Sequence, residues 1–228
     1  MKKYLLGSIL ITLSISSIAS DFACKVPVQS FGNIKKMTAG DFSPNVLFKD
    51  VKLSNTSVGY GPGADHQYEL TIVNGVVYMA RPGKDDEVMM RTILKEADGA
   101  AMLQIATPKA WKLYGEMDDI DSFNGLAFEM DDVVEEIECG ENVLMPFKII
   151  GYANSLTWSM DTENPRVVNS KNQSVEVVGL YNVNNKQKYF MVKGYNIHPH
   201  VLLTNLGEAG HLRNISLQAG AKLYLPQK

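Results

Sequence analysis

Three of the four histidines in this 228-residue chain fall within residues 194–213: His198, His200 and His211. Imidazole is the side chain best suited to proton transfer and metal ligation near neutral pH. His198 and His200 are two residues apart in a His-Pro-His sequence. Alternate side chains of an extended strand share a face, so both rings point the same way. After His200 the chain runs through Val201, Leu202 and Leu203 and then meets Asn205, Gly207 and Gly210. An apolar run followed by Asn and Gly reads as a strand entering a hairpin. The returning strand is expected to start near His211 and to run through Ile215 and Leu217. A turn centred near Leu206 brings His211 back beside Val201 and His200, so that three imidazoles converge on one patch of sheet. Three neutral imidazoles with an open fourth position are the donor set of a catalytic zinc site, which binds water or polarises substrate oxygens. From spacing alone, a half-buried surface group of histidines competes evenly with this reading.

The elements that must position these residues are mostly strands. Residues 68–73 and 76–78 flank Asn74-Gly75, the strongest short hairpin signal. Residues 59–63 form a Gly-rich loop before it, which lacks the Lys-Ser/Thr and the following helix of a phosphate cradle. Phe31, Ile34 and Met37 stand at helical spacing, and residues 85–97 are expected to form a helix. Residues 100–106 read as a buried strand. Asp121 or Ser122 caps a helix running to about Glu138. Its apolar face is Leu126, Ala127, Met130, Val133, Val134 and Ile137, and its acids face water rather than form a calcium loop. Strands follow at 142–158, 175–181 and 188–193, the last two joined by a turn over 182–186. Further strands are expected at 214–218 and 222–225. The fold class is therefore α/β (α+β), with mostly antiparallel hairpins and few helices.

Composition bounds the partners. Hydrophobic residues make up 45% of the chain and charged residues 21%, with a net charge of −3, ordinary for a globular domain and no recommendation for nucleic acid. Residues 1–19 read as a secretory signal peptide. Lys2 and Lys3 give a positive start, residues 4–18 are apolar and Ser/Thr-rich, and Ser17 and Ala19 are small residues before the cleavage point. The stretch is too short and Ser-rich for a stable membrane anchor. Asp21 sits where lipidation at Cys24 requires an apolar residue. Export to a bacterial periplasm or beyond is the expectation, and it permits a disulfide between Cys24 and Cys139.

His-Pro-His, then Gly-His with the histidine eleven residues after His200, resembles the zinc signature of the acetolactate decarboxylase family. The resemblance implies two packed β-rich subdomains, residues 20–140 and 141–228, the second carrying the histidines. It implies zinc on His198, His200 and His211. Residues 59–78 are similar to the family's Gly-rich and Glu-Leu segments, which puts Glu69 at the family's active-site glutamate. The implied reaction takes 2-acetolactate to acetoin and carbon dioxide, with zinc polarising the hydroxyl and keto oxygens and Glu69 managing the proton. The implied partner is a small 2-hydroxy-3-keto acid, with the assembly left open between monomer and homodimer. The chain departs from the pattern at three points. Pro62 replaces a threonine, with His66, otherwise an exposed loop residue, nearby. Residues 155–159 lack the arginine that holds the substrate carboxylate, Arg166 being the nearest downstream. No tail glutamate is present, Glu208 being a candidate by proximity alone. These departures leave a second expectation: a non-catalytic exported zinc- or small-oxyacid-binding protein of the same fold. A zinc-water hydrolase on the same histidines has no specific feature in its favour.

Overall fold

The structure is a computed structural model that describes residues 21–183 and 190–228. The expected signal peptide and much of the expected 182–186 turn lie outside those residues. The first part of the chain contributes β1 (Val28–Phe31), α1 (Ile34–Thr38), β2 (Val46–Leu47), β3 (Val58–Pro62), β4 (Glu69–Val73), β5 (Val76–Pro82), β6 (Val88–Arg91), β7 (Gly99–Ala100) and β8 (Leu103–Ala106). Six of these strands form an antiparallel sheet in the order β1-β8-β3-β4-β5-β6, while β2 and β7 pair separately. The remainder contributes β9 (Trp111–Met117), α2 (Phe123–Glu136), β10 (Leu144–Met160), β11 (Arg166–Asn182), β12 (Ile197–Leu203), β13 (Glu208–Leu217) and β14 (Ala221–Pro226). The fold is thus β-rich α+β, antiparallel throughout its two main sheets.

The second sheet closes on itself. β10 pairs with β11 along nearly its whole length, β11 with β12, β12 with β13, and β13 returns to β10. β14 and β9 extend the sheet from the first half of β10. Inside lies the largest core, with Phe147, Trp158, Val177, Val201, Leu212 and Ile215 fully buried. α2 lays Leu126, Met130 and Val133 into this core, and its C-cap Ile137 joins them. Its N-cap is Ser122, whose hydroxyl accepts from the Gly125 N–H at 3.1 Å, as the sequence indicates.

All five residues of β4 are buried, because both faces of the first sheet are covered. Leu70 and Ile72 join Val77, Met79, Leu103 and Phe48 on one side. Val73 packs with Val58, Tyr60, Val178, Leu180 and Leu202 at the seam between the sheets. Period-two alternation therefore turns Glu69 and Thr71 toward that seam.

Three expectations are corrected. Residues 85–97 form no helix. β6 occupies 88–91 and pairs with β5, because Val88 and Met90 pack on the core while Met89 is exposed, an alternation of two rather than 3.6. Residues 59–62 are not a loop but buried strand β3. A Cβ on Gly61 would lie 2.2 Å from the carbonyl oxygen of Met102 in the segment leading into β8, so the glycine serves close strand approach. The expected strand at 188–193 is absent over residues 190–193, and residues 188–189 lie outside the described set. β9 belongs to the second sheet, because it pairs with β14.

Cys24 and Cys139 form a disulfide with a Cα–Cα distance of 5.4 Å, closing a loop of 115 residues. It ties the N-terminal segment to the residues just after α2. Removing a cross-link over a loop of this size costs about 2–5 kcal/mol through the entropy of the unfolded chain. Thermal denaturation with and without reductant should therefore show a clear loss of stability on reduction, reproduced by Cys139→Ser. Identical melting curves would contradict a structural role.

Candidate metal centre

The β12–β13 hairpin places the three imidazoles. Its register sets His200 directly opposite His211, Val201 opposite Gly210 and Leu203 opposite Glu208. The turn over 204–207 is closed by Gly207 N–H donating to Leu203 O at 2.8 Å. His198 lies two residues before His200 on the same face. Ring centroids are 4.4 Å apart for His198 and His211, 5.2 Å for His200 and His211, and 5.3 Å for His198 and His200. One ring nitrogen from each lies within 4.8 Å of the others. Gly210 has a packing reason beside His211: a Cβ there would meet the Trp158 ring at 2.7 Å.

The other nitrogen of each ring is fixed by the surroundings. His198 Nδ1 donates to the Phe190 carbonyl. His211 Nδ1 donates to Asp161 Oδ2 at 3.0 Å. Carbonyl and carboxylate oxygens only accept, so these two rings carry their proton on Nδ1 and present a lone pair at Nε2. His200 Nδ1 is 2.8 Å from Thr71 Oγ1 on the opposing sheet. All three Nε2 atoms are buried and lack a hydrogen-bond partner. Burial, followed by the charge of His211, pushes the His198 and His200 pKa values well below the imidazole norm. Burial also lowers that of His211, against the opposing pull of Asp161. Burial thus favours the neutral form of all three imidazoles, whose inner nitrogens lie close together and whose outward nitrogens are held by an oxygen partner, the arrangement typical of metal-ligating histidines.

Glu69 approaches from the first sheet. Its Oε1 is 3.6 Å from His200 Nε2, and its Oε2 accepts from the Asp161 N–H at 3.0 Å. Burial and the adjacent charge of Asp161 push its carboxyl well above the usual range, offset only in part by that hydrogen bond and by Arg213. Tyr60 covers the rings, its own ring stacking 5.0 Å from that of His200.

Asp161, which the sequence reading did not single out, joins these pieces. Its N–H holds Glu69, its carbonyl meets His66 Nε2 at 2.9 Å, and its carboxylate bonds His211, Ser159 and Arg213. Burial raises its pKa, but His211, Ser159 and Arg213 together hold it well below the ordinary carboxylate value. Arg213 also donates from Nε to Ser159 Oγ at 2.8 Å. A guanidinium thus reaches the 155–159 stretch from β13, although it bonds Asp161 and does not line the cavity. Thr71 and Arg213 each lie two residues beyond a predicted site residue on the same strand, a spacing that could have flagged them. No local pattern marks Asp161.

His66 is not an exposed loop residue: it is half-buried and stacks on Phe42 with centroids 3.9 Å apart. Pro62 lines the cavity. Arg166 lies elsewhere, donating to the carbonyls of Glu87 and Gly83. Glu208 sits at the turn end of β13 and does not line the cavity.

No family model matches the sequence, and no curated protein matches it. Among solved structures, the chain is similar to α-acetolactate decarboxylase from Bacillus subtilis strain 168, at 14% identity and a TM-score of 0.66, over 88% of this chain and 85% of that one. The structure from Bacillus subtilis subspecies spizizenii gives 14% identity and 0.66 over 88% and 86%. A Staphylococcus aureus protein of unknown function similar to α-acetolactate decarboxylase gives 12% and 0.65 over 88% and 85%. The chain therefore has a divergent acetolactate decarboxylase-like fold.

Proposed function

We propose that this protein is a zinc-dependent decarboxylase of a 2-hydroxy-3-keto acid, taking 2-acetolactate or a relative to the hydroxyketone and carbon dioxide. The observation that carries this reading is the trio of buried, unpartnered Nε2 atoms at one point. Leaving a buried acceptor unpaired costs about 1–3 kcal/mol, and a fold that gathers three such acceptors is suited to an electron-poor centre. His198, His200 and His211 would hold the ion, and a donor set of three neutral imidazoles suits zinc with room for ligand oxygens. A divalent ion bound there supplies positive charge against the negative charge that develops as carbon dioxide departs.

The chain's own groups account for the remaining requirements. The Phe190 carbonyl, Thr71 and Asp161 orient the rings. Tyr60, Pro62 and Met102 wall the cavity and keep bulk water from the reacting carbon. When the carbon–carbon bond breaks, its electron pair stays with the substrate skeleton and a proton must return to carbon. Glu69, whose burial favours the protonated form and which is anchored through Oε2, is the group placed to deliver it as a general acid.

One observation favours a second reading. Among the described residues no lysine or arginine lines the cavity, which suits a non-catalytic zinc- or oxyacid-binding protein of the same fold. Under either reading the Cys24–Cys139 disulfide supports export, since such bonds persist in oxidising compartments.

Metal analysis of purified protein should give one zinc per chain. His200→Ala should abolish stoichiometric zinc, and Thr71→Val should weaken zinc affinity by about 10–100-fold. Full zinc content in His200→Ala would refute the ligand assignment. Zinc-loaded protein should release carbon dioxide and acetoin from 2-acetolactate, with loss on chelation. Glu69→Gln should lower kcat by about 10²–10⁴-fold at unchanged zinc content. Absence of release by fully loaded wild-type protein would favour the binding reading.

A further inference from the structure

The cavity in front of the histidines is lined by two kinds of group. Three imidazoles, Glu69 and Asp161 supply the polar part. Tyr60 lies against the imidazoles, and Met37, Phe42, Pro62 and Met102 add an apolar wall. The cavity's volume is about 350 Å³, within the range of about 300–1,000 Å³ that takes drug-sized ligands. A ligand as small as acetolactate, held at the imidazoles, would leave much of this volume and its apolar lining unfilled.

That wall is built rather than incidental. Phe42 lies flat on His66, their planes 5° apart. The Asp65 N–H donates to the Phe42 carbonyl at 2.8 Å, and the Glu163 N–H to the His66 carbonyl at 2.9 Å. His66 Nε2 is in turn fixed on the Asp161 carbonyl. Asp65 and His66 both adopt left-handed backbone, with φ of 56° and 58°. Such conformations are costly for residues other than glycine and persist where surrounding contacts impose them. The fold thus uses the same aspartate that holds His211 to fix the His66–Phe42 pair that lines this cavity.

We propose that the ligand of this site carries, opposite its metal-binding oxygens, an alkyl arm of several carbons or a ring, seated against Phe42, Met37 and Met102. This inference rests on the metal reading above and specifies the substrate class: a hydroxy-keto acid bulkier than acetolactate. Phe42 is then a specificity-determining residue.

The test uses zinc-loaded full-length protein and straight-chain hydroxamic acids, which chelate a divalent metal through two oxygens, from acetohydroxamate to hexanohydroxamate, titrated by calorimetry. Each added methylene buried against the wall should tighten binding by about fourfold. Phe42→Ala should flatten the series, and Phe42→Leu, which keeps an apolar side chain there, should restore most of the gain. Binding of acetohydroxamate with no gain along the series overturns the apolar subsite and leaves the zinc reading standing. Steep gains undiminished in Phe42→Ala overturn the assignment of the wall. Failure of the wild-type protein to retain zinc during loading overturns the metal reading and this inference with it.

Discussion

The register of one hairpin governs the centre. His200 faces His211 across β12 and β13, and His198 follows at the next position on that face. A slip of one residue would send imidazoles to opposite sides of the sheet. The register is held from three directions. The turn closes through Gly207, Trp158 of β10 occupies the space that a side chain at position 210 would need, and β11 pairs with β12 from Val175 to Tyr181. Ring closure of the second sheet leaves β12 and β13 no free edge along which to slide.

The cost of gathering three buried acceptors is met by contacts across the seam. Thr71 reaches His200 from the first sheet. Asp161 binds His211 within the second sheet and Glu69 in the first. Neither sheet alone completes the set. The order of the seam and the geometry of the imidazoles are therefore one structural property, with Val73, Tyr60, Leu180 and Leu202 as the apolar part of the same contact.

Short-range signals were legible in the sequence. His-x-His, the Asn and glycines after it, Asn74-Gly75, and the apolar face of α2 each act through local geometry, and the structure places the hairpins and α2 accordingly. What was not legible depended on tertiary pairing. The first half of β11, residues 166–174, is mostly polar and pairs only with β10, so it shows no hydrophobic alternation. Residues 88–91 are too short to separate a period of two from 3.6. Glycines 59 and 61 read as loop because the carbonyls that crowd them come from residues 104 and 102. Asp161 has five partners, nearly all remote in sequence, and a lone aspartate after a strand carries no mark of that role.

The N-terminal segment has a consequence for how the chain is made. Phe22 bridges Gln227, the Ala23 N–H donates to Pro226, and the Lys228 N–H to Asp21. Residues 21–23 therefore find these neighbours only after nearly everything between has emerged, whereas Cys24 to Val26 meet residues 139–144 earlier, and contacts this far apart in sequence are the slowest kind to form. Until the C-terminal strand has been made, residues 21–23 stay unpaired, while the hairpins behind them are free to assemble.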